Sequence, residues 1–161
     1  MITQELLHAL FSIREDGSLL RKVDAGHTGK AGRVAGTANK AGYLRTCVAG
    51  KLYYNHRLIW FMVHGTWPEM VDHINGNNAD NRPENLRACT QAQNMRNSKN
   101  KSSNGTGVKG VTWRPTKNKF RARIMVDRKE ICVGHFVTLE EARIAVEAAR
   151  TKYHGEFARH A

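Results

Sequence analysis

The stretch DHINGNNADNRPENLRACTQAQN, Asp72 to Asn94, decides the reading of this chain. It opens on an Asp-His pair, runs through a loop of Asn, Gly, Asp and Pro to Asn85, and closes on Asn94. These residue types suit the hydrolysis of a phosphodiester, which needs a hard cation on the phosphate oxygens and a base to deprotonate water. Magnesium takes oxygen ligands, commonly one or two side chains, and leaves its other positions to water and substrate phosphate. Asp72 and Asn94 are the candidate ligands. His73 is the candidate base, because an imidazole titrates near neutral pH. Such a base works best with its other ring nitrogen held in one tautomer, and a side-chain amide oxygen can hold it; Asn85 is the candidate.

The local pattern places these residues on elements. Met70 to Ile74 reads as a short strand ending at Asp72-His73, residues 75–84 as a loop, and Leu86 to Cys89 as the returning strand. Thr90 followed by Gln93 is a capping box, so a helix begins at Gln91 and Asn94 falls in its first turn. On the block DHINGNNADNRPENL, the LRACT that follows and the run QAQNMRN, the segment resembles the HNH endonucleases, specifically the phage and intron-encoded homing type with a ββα-metal motif. The resemblance implies that Asp72 is a metal ligand, His73 the general base, Asn85 the residue that orients it and Asn94 the second metal ligand. Asn94 stands where the family's name has a His, and the homing-type branch commonly carries Asn there. It argues against zinc, which prefers His and Cys, and for Mg2+ or Mn2+. No structural zinc is expected.

The net charge of +12 over 161 residues is the footprint of a polyanionic partner, most often nucleic acid. Residues 95–161 hold 15 basic and 6 acidic residues, whereas residues 1–94 hold 11 and 8, so the C-terminal part is expected to carry most of the affinity for DNA. Charge alone does not separate DNA from RNA, since phosphate attraction is common to both. Cys47, Cys89 and Cys132 are scattered and form no CxxC pair, which excludes a zinc ribbon and fits a reducing compartment. No apolar run is long enough to span a membrane, and the N-terminus lacks a signal-peptide pattern. The expectation is a soluble cytoplasmic protein, in the host cell if phage-encoded, acting as a monomer without membrane contact.

Upstream of the central stretch, Thr3 to Leu10 reads as a short helix, and Phe11 to Lys22 as a hairpin turning at Asp16-Gly17. Residues 24–42 have loop composition; Lys30, Arg33 and Lys40 either touch phosphate or sit in a solvated loop. Tyr43 to Val48 and Lys51 to Tyr54 read as a second hairpin around Ala49-Gly50. NHRLIWFMVH, residues 55–64, reads as a buried helix with Asn55 at its N-cap and Gly65 as its stop. His56 either lies near the substrate phosphate, as its place in the family pattern suggests, or satisfies backbone carbonyls.

Downstream, residues 95–107 have the composition of a basic flexible linker, with groove tracking as a possible second role. Residues 108–161 read as a separate module. Val108 to Trp113 is the first strand. Lys119 to Val126 alternates, with Phe120, Ala122, Ile124 and Val126 on one side and Lys119, Arg121, Arg123 and Met125 on the other. Glu130 to Phe136 is the third strand, with a bulge suggested by Gly134. Thr138 and Glu141 form a second capping box, and the helix runs to about Tyr153 with a face of Ala142, Ala145, Val146 and Ala149. On GVKGVTWRP, KFRARI, VGHF-x-T-x-EEA and AARTKYHGEFA the module resembles the APETALA-two or ethylene-response-factor DNA-binding domain. Positions that contact DNA in that family fall on Lys109, Thr112, Arg114, Arg123 and His135; the exposed alternation adds Lys119 and Arg121. Thr112 stands where Arg is usual and Arg123 where Glu is usual, so base preference does not carry over.

The sequence therefore predicts an α+β protein: an HNH nuclease core with a β-rich leader over 1–94, a linker over 95–107, and a three-stranded antiparallel sheet packed on one helix over 108–161. The expected activity is a metal-dependent endonuclease acting on double-stranded DNA, a nicking or homing enzyme of a phage or mobile element. The alternative is a DNA-binding regulator that has lost catalysis on the same fold.

Overall fold

The computed structural model describes residues 2–27, 29–97, 104–127 and 129–158. It is an α+β structure of small antiparallel sheets that divides into two compact units, Met1–Cys89 and Thr90–Ala161.

The first unit opens with helix α1, Gln4–Leu10, capped by Thr3, whose hydroxyl accepts from the Leu6 N–H at 3.2 Å. This satisfies one of the amides that a helix start leaves without a partner. Strands β1 (Phe11–Ile13) and β2 (Leu19–Arg21) form the expected hairpin, and β2 also pairs with β3 (Val34–Ala35). A second sheet runs β4 (Thr37–Ala38), β5 (Leu44–Val48), β6 (Lys51–Tyr54). The β5–β6 turn places Ala49 and Gly50 at φ 48° and 76°, the doubly positive pair that matches the twist of two-residue hairpins. Residues 24–42 are thus not all loop. The two-residue strands β3 and β4 are too short to carry an alternation that composition would reveal.

Helix α2, Asn55–His64, stops at Gly65 with φ 69°. Its buried face of Leu58, Ile59, Phe61 and Met62 joins Leu7, Phe11, Leu19, Val71 and Leu86 in one core. Cutting the fully buried Leu58 to Ala would cost about 2–5 kcal/mol through lost contacts and the cavity left behind. The expected N-cap role of Asn55 is corrected: Tyr54 is the N-cap, and Asn55 is the buried first residue of the helix. Its Nδ2 donates to the Ala35 carbonyl at 2.9 Å and its Oδ1 accepts from the Thr46 hydroxyl at 2.8 Å, so the amide ties the two sheets to the helix instead of capping it. Strands β7 (Met70–His73) and β8 (Leu86–Cys89) close the unit as an antiparallel hairpin, joined by a loop that ends in a single 3-10 turn, Pro83–Asn85.

The second unit begins with α3, Gln91–Arg96, on the predicted capping box of Thr90 and Gln93. The expected linker falls largely on residues 98–103, outside the described residues. The strand expected from Val108 begins later, as β9, Val111–Arg114. The residues before it are held in a turn: Asn104 Nδ2 donates to the Val108 carbonyl and the Thr106 hydroxyl to that of Val111. Strand β10, Lys119–Val126, lies between β9 and β11, Lys129–Phe136. Ala122 pairs with Gly134 but Arg123 with Cys132, so Val133 is the extra residue of a bulge beside Gly134. Helix α4, Leu139–His154, starts on the capping box of Thr138 and Glu141. Ala142 and Val146 pack with Val111, Ala122 and Ile124 in a second core. The buried Arg150 of the same helix donates to the Lys109 carbonyl at 2.6 Å.

Candidate active site and basic face

Strand β7 delivers Asp72 and His73 side by side at its C-terminal end. Both are buried, at 6% and 3% exposure. Asp72 stands opposite Arg87 in the hairpin register. Nε and Nη2 of Arg87 donate to the same carboxylate oxygen, Oδ2, at 3.0 and 2.8 Å. A charge-assisted fork of this kind fixes the carboxylate's orientation as well as matching its charge.

His73 lies among rings. His56 meets it edge-on at 5.0 Å between centroids, and Tyr43 is 5.9 Å away. His56 in turn stacks on Tyr54 at 5.4 Å. Burial, then the neighbouring His73 and Arg57, push the His56 imidazole down to about 3, so it is neutral at physiological pH. The His56 ring packs between Tyr54 and His73. The Tyr43 phenol is pushed above its ordinary value by burial, then by the charge of Asp72, then by Tyr54. The Cys89 thiol is pushed up to about 11, chiefly by burial and then by Asp72, which keeps it protonated beside the site.

The amide on His73 is that of Asn81, with Oδ1 at 2.9 Å from Nε2. Asn85, the residue expected in this role, is spent on the loop: its Oδ1 accepts from the Asn75 N–H, and its Nδ2 donates to Asn75 Oδ1 and to the Asp80 carbonyl. The physical reason is its place in the 3-10 turn, where its backbone carbonyl also accepts from Ile74 N–H and draws the side chain under the loop. Asp80 is gripped by Arg82 through two bonds of 2.8 Å, and these, with Asn75, hold its carboxyl well below the usual carboxylate range.

The loop is braced from the N-terminal hairpin as well. Gly17, at φ +78°, packs so closely that a Cβ there would stand 2.2 Å from Arg82 N and 2.4 Å from Asn81 C. The hairpin that sequence reading left without a role thus lies against the peptide that carries Asn81. Arg87 was legible in principle, since strands of equal length ending at Cys89 place it opposite Asp72. Asn81 carried no signal among the neighbouring asparagines. Asn94 lies in the first turn of α3, half-buried, in the second unit.

In that second unit, directly opposed residues of antiparallel strands share a face. Thr112, Arg121 and His135 form one row, Arg114 and Lys119 the next, and Arg123 pairs with Cys132. Arg114, Arg121 and His135 line a cavity of about 310 Å³ with Thr116, Lys117 and Cys132. The structure thus brings together most of the expected contact set, while Lys109 lies before β9 with its carbonyl on Arg150. Sequence reading missed Glu130, which receives Arg121 at 2.5 Å and also Arg123, neutralising part of the face.

Among the described residues, no group of three or more His, Cys, Asp and Glu side chains is placed to hold a metal, and no helix is long and apolar enough to cross a membrane. Residues 53–96 match the HNH endonuclease family. The chain is 29% identical over 108 residues to Protein 3.8 of Escherichia phage T7, an alignment covering 65% of this chain and 87% of that protein. It is 29% identical over 121 residues to an uncharacterised HNH endonuclease of Acanthamoeba polyphaga mimivirus, covering 74% of this chain and 62% of that one. No solved structure gives a significant match. The chain therefore carries an HNH endonuclease domain over residues 53–96, the domain of a DNA-cleaving hydrolase.

Proposed function

We propose that this protein is a metal-dependent endonuclease that nicks duplex DNA, with His73 as the general base and Asp72 and Asn94 as the ligands of one Mg2+ or Mn2+ ion. The observation that supports it most is the buried Asp72–His73 pair with Asn81 on Nε2 of His73, inside the segment that matches the HNH family. The donor set fits such an ion. A carboxylate and an amide offer hard oxygens. When bound, the ion supplies positive charge to the phosphate and to the leaving oxygen.

The protein's own groups supply the rest. The contact of His73 Nε2 with Asn81 Oδ1 holds the ring, and the imidazole takes a proton from the attacking water. Asn85 acts at one remove, by holding the loop that carries Asn81. The basic face of β9–β11, with Arg114, Lys119, Arg121, Arg123 and His135 beside Thr112 and Lys109, binds the duplex in the manner of the APETALA-two domains it resembles. A monomer has one such site and cuts one strand per event, as expected of a nicking or homing enzyme of a phage or mobile element.

The test is cleavage of supercoiled plasmid by the wild type with Mg2+, the wild type with EDTA, and H73A with Mg2+. Open-circular product that requires both metal and His73 supports the proposal. Tight DNA binding without cleavage, on plasmids spanning the genome of origin, would replace it with a non-catalytic DNA-binding role.

A further inference from the structure

We infer that the Tyr43 hydroxyl is a further catalytic donor, hydrogen-bonding a non-bridging oxygen of the scissile phosphate as water attacks it. The inference rests on the nuclease reading of His73. Tyr43 lies upstream of the segment that matches the HNH family, in the turn between β4 and β5. Its half-buried ring is set against three others: Tyr54, edge-on, and His56, both at 5.5 Å between centroids, and His73 at 5.9 Å.

The backbone of Tyr43 is fixed as firmly as its ring. Asn39 Oδ1 accepts from the Ala41 and Tyr43 N–H groups, both at 3.0 Å, and the Asn39 N–H donates to the Tyr43 carbonyl at 2.9 Å. An asparagine that bonds the backbone two residues on closes a compact turn. The Ala41 carbonyl in turn accepts from Asn78 Nδ2 at 2.9 Å. The turn that carries Tyr43 is thus fastened to the loop that carries Asn81, and the tyrosine keeps its place relative to the candidate base.

The hydroxyl is the part of this side chain that packing leaves unused. Among the described residues it has no hydrogen-bond partner, and it is not sealed from solvent. The charge of Asp72 reaches the phenol and strengthens its hold on its proton, so the group is a donor and no rival to His73 as a base. In the hydrolysis the water oxygen bonds to phosphorus, His73 takes the water's proton, and the ester oxygen leaves with the electron pair of the broken P–O bond. Negative charge shifts onto the phosphoryl oxygens as the new bond forms. A neutral donor already held at that place lowers the barrier, because nothing has to reorganise to meet the charge.

The test is single-turnover nicking with Mg2+ by the full chain, wild type and Tyr43→Phe, at a nick first mapped on supercoiled plasmid and then rebuilt in a short duplex. Y43F keeps the ring, so its urea midpoint and duplex affinity should match the wild type, while its nicking rate falls about ten- to a hundredfold. A second readout puts the hydroxyl on the phosphate. The duplex is made with sulfur, a poor acceptor, in place of either non-bridging oxygen of the scissile phosphate. Sulfur at the oxygen that Tyr43 reaches should slow the wild type by a larger factor than it slows Y43F, and the difference should match the defect of Y43F on the all-oxygen duplex. The ratio of rates on the two diastereomers cancels the active fraction, so it remains a valid comparison even for a partly unfolded variant. Equal nicking of the all-oxygen duplex by both proteins, or the same diastereomer ratio in both, overturns the inference and leaves the nuclease reading standing. A wild type that nicks nothing with Mg2+ or Mn2+ overturns both.

Discussion

Oδ1 of Asn81 lies 2.9 Å from Nε2 of His73, and both side chains are buried. The contact holds the imidazole ring in one orientation. Asn81→Ala should therefore lower the nicking rate about ten- to a hundredfold, the usual cost of losing an outer partner of an active histidine. Duplex affinity should not change, because Asn81 is 1% exposed and lies outside the basic face. Equal nicking rates for N81A and wild type would assign the ring's orientation to its neighbours His56 and Tyr43.

The hairpin of β1 and β2 is predicted to matter for catalysis through Gly17. Gly17→Ala meets two obstacles at once, a φ of +78° and a Cβ 2.2 Å from Arg82 N. Backbone strain and overpacking of this kind cost about 1–3 kcal/mol each. The expected result is a clear fall in stability by urea titration and, at temperatures where the variant is still folded, a nicking defect of the same kind as that of N81A. A G17A protein as stable as the wild type would mean that the contact between hairpin and loop relaxes freely.

What could be read from the sequence was what local chemistry decides. Both capping boxes, Thr90 with Gln93 and Thr138 with Glu141, involve residues three apart and form as expected. The alternation in Lys119–Val126 marked a strand because one face is buried and the other is not. What failed depended on long-range contacts. Asn55 has the residue type of an N-cap, but Ala35 and Thr46 claim its amide. Asn81 and Asn85 are alike in sequence, and which one reaches His73 is decided by how the loop closes against Gly17. The pairing of Glu130 with Arg121 and Arg123 depends on the bulge at Val133, which resets the register between β10 and β11.

Acid should weaken the fold through His56. Its imidazole is held at about 3 in the folded protein, against an ordinary value near 6.5. Between these values the unfolded chain binds a proton that the folded chain refuses, so stability rises with pH through that window and falls as the solution is acidified. From pH 7 to pH 4.5 the loss from this one group is about 2–3 kcal/mol. The Asp80–Arg82 pair does not interfere, because the depressed Asp80 carboxyl begins to lose its contribution only at lower pH. His56→Phe keeps a ring against Tyr54 and His73 and removes the proton site. Urea titrations at the two pH values should show a smaller acid loss for H56F by about that amount. Identical losses would place the acid sensitivity elsewhere.

Glu130 is paired with both Arg121 and Arg123 on the basic face. Exposed pairs of this kind contribute little to stability, so Glu130→Gln should leave the melting temperature nearly unchanged. Its effect should appear in DNA binding. Each arginine released to a phosphate displaces about one counterion, and the slope of log affinity against log salt steepens by about 0.9 per phosphate neutralised. If both arginines engage the backbone, E130Q should bind duplex more tightly at low salt with a slope steeper by up to about 1.8. Arg121→Ala with Arg123→Ala should flatten the same slope, and adding E130Q to that double variant should not restore it. Anisotropy titrations over a range of NaCl concentrations would measure all four proteins. A slope that ignores both Glu130 and its arginines would move the DNA surface away from the β9–β11 face.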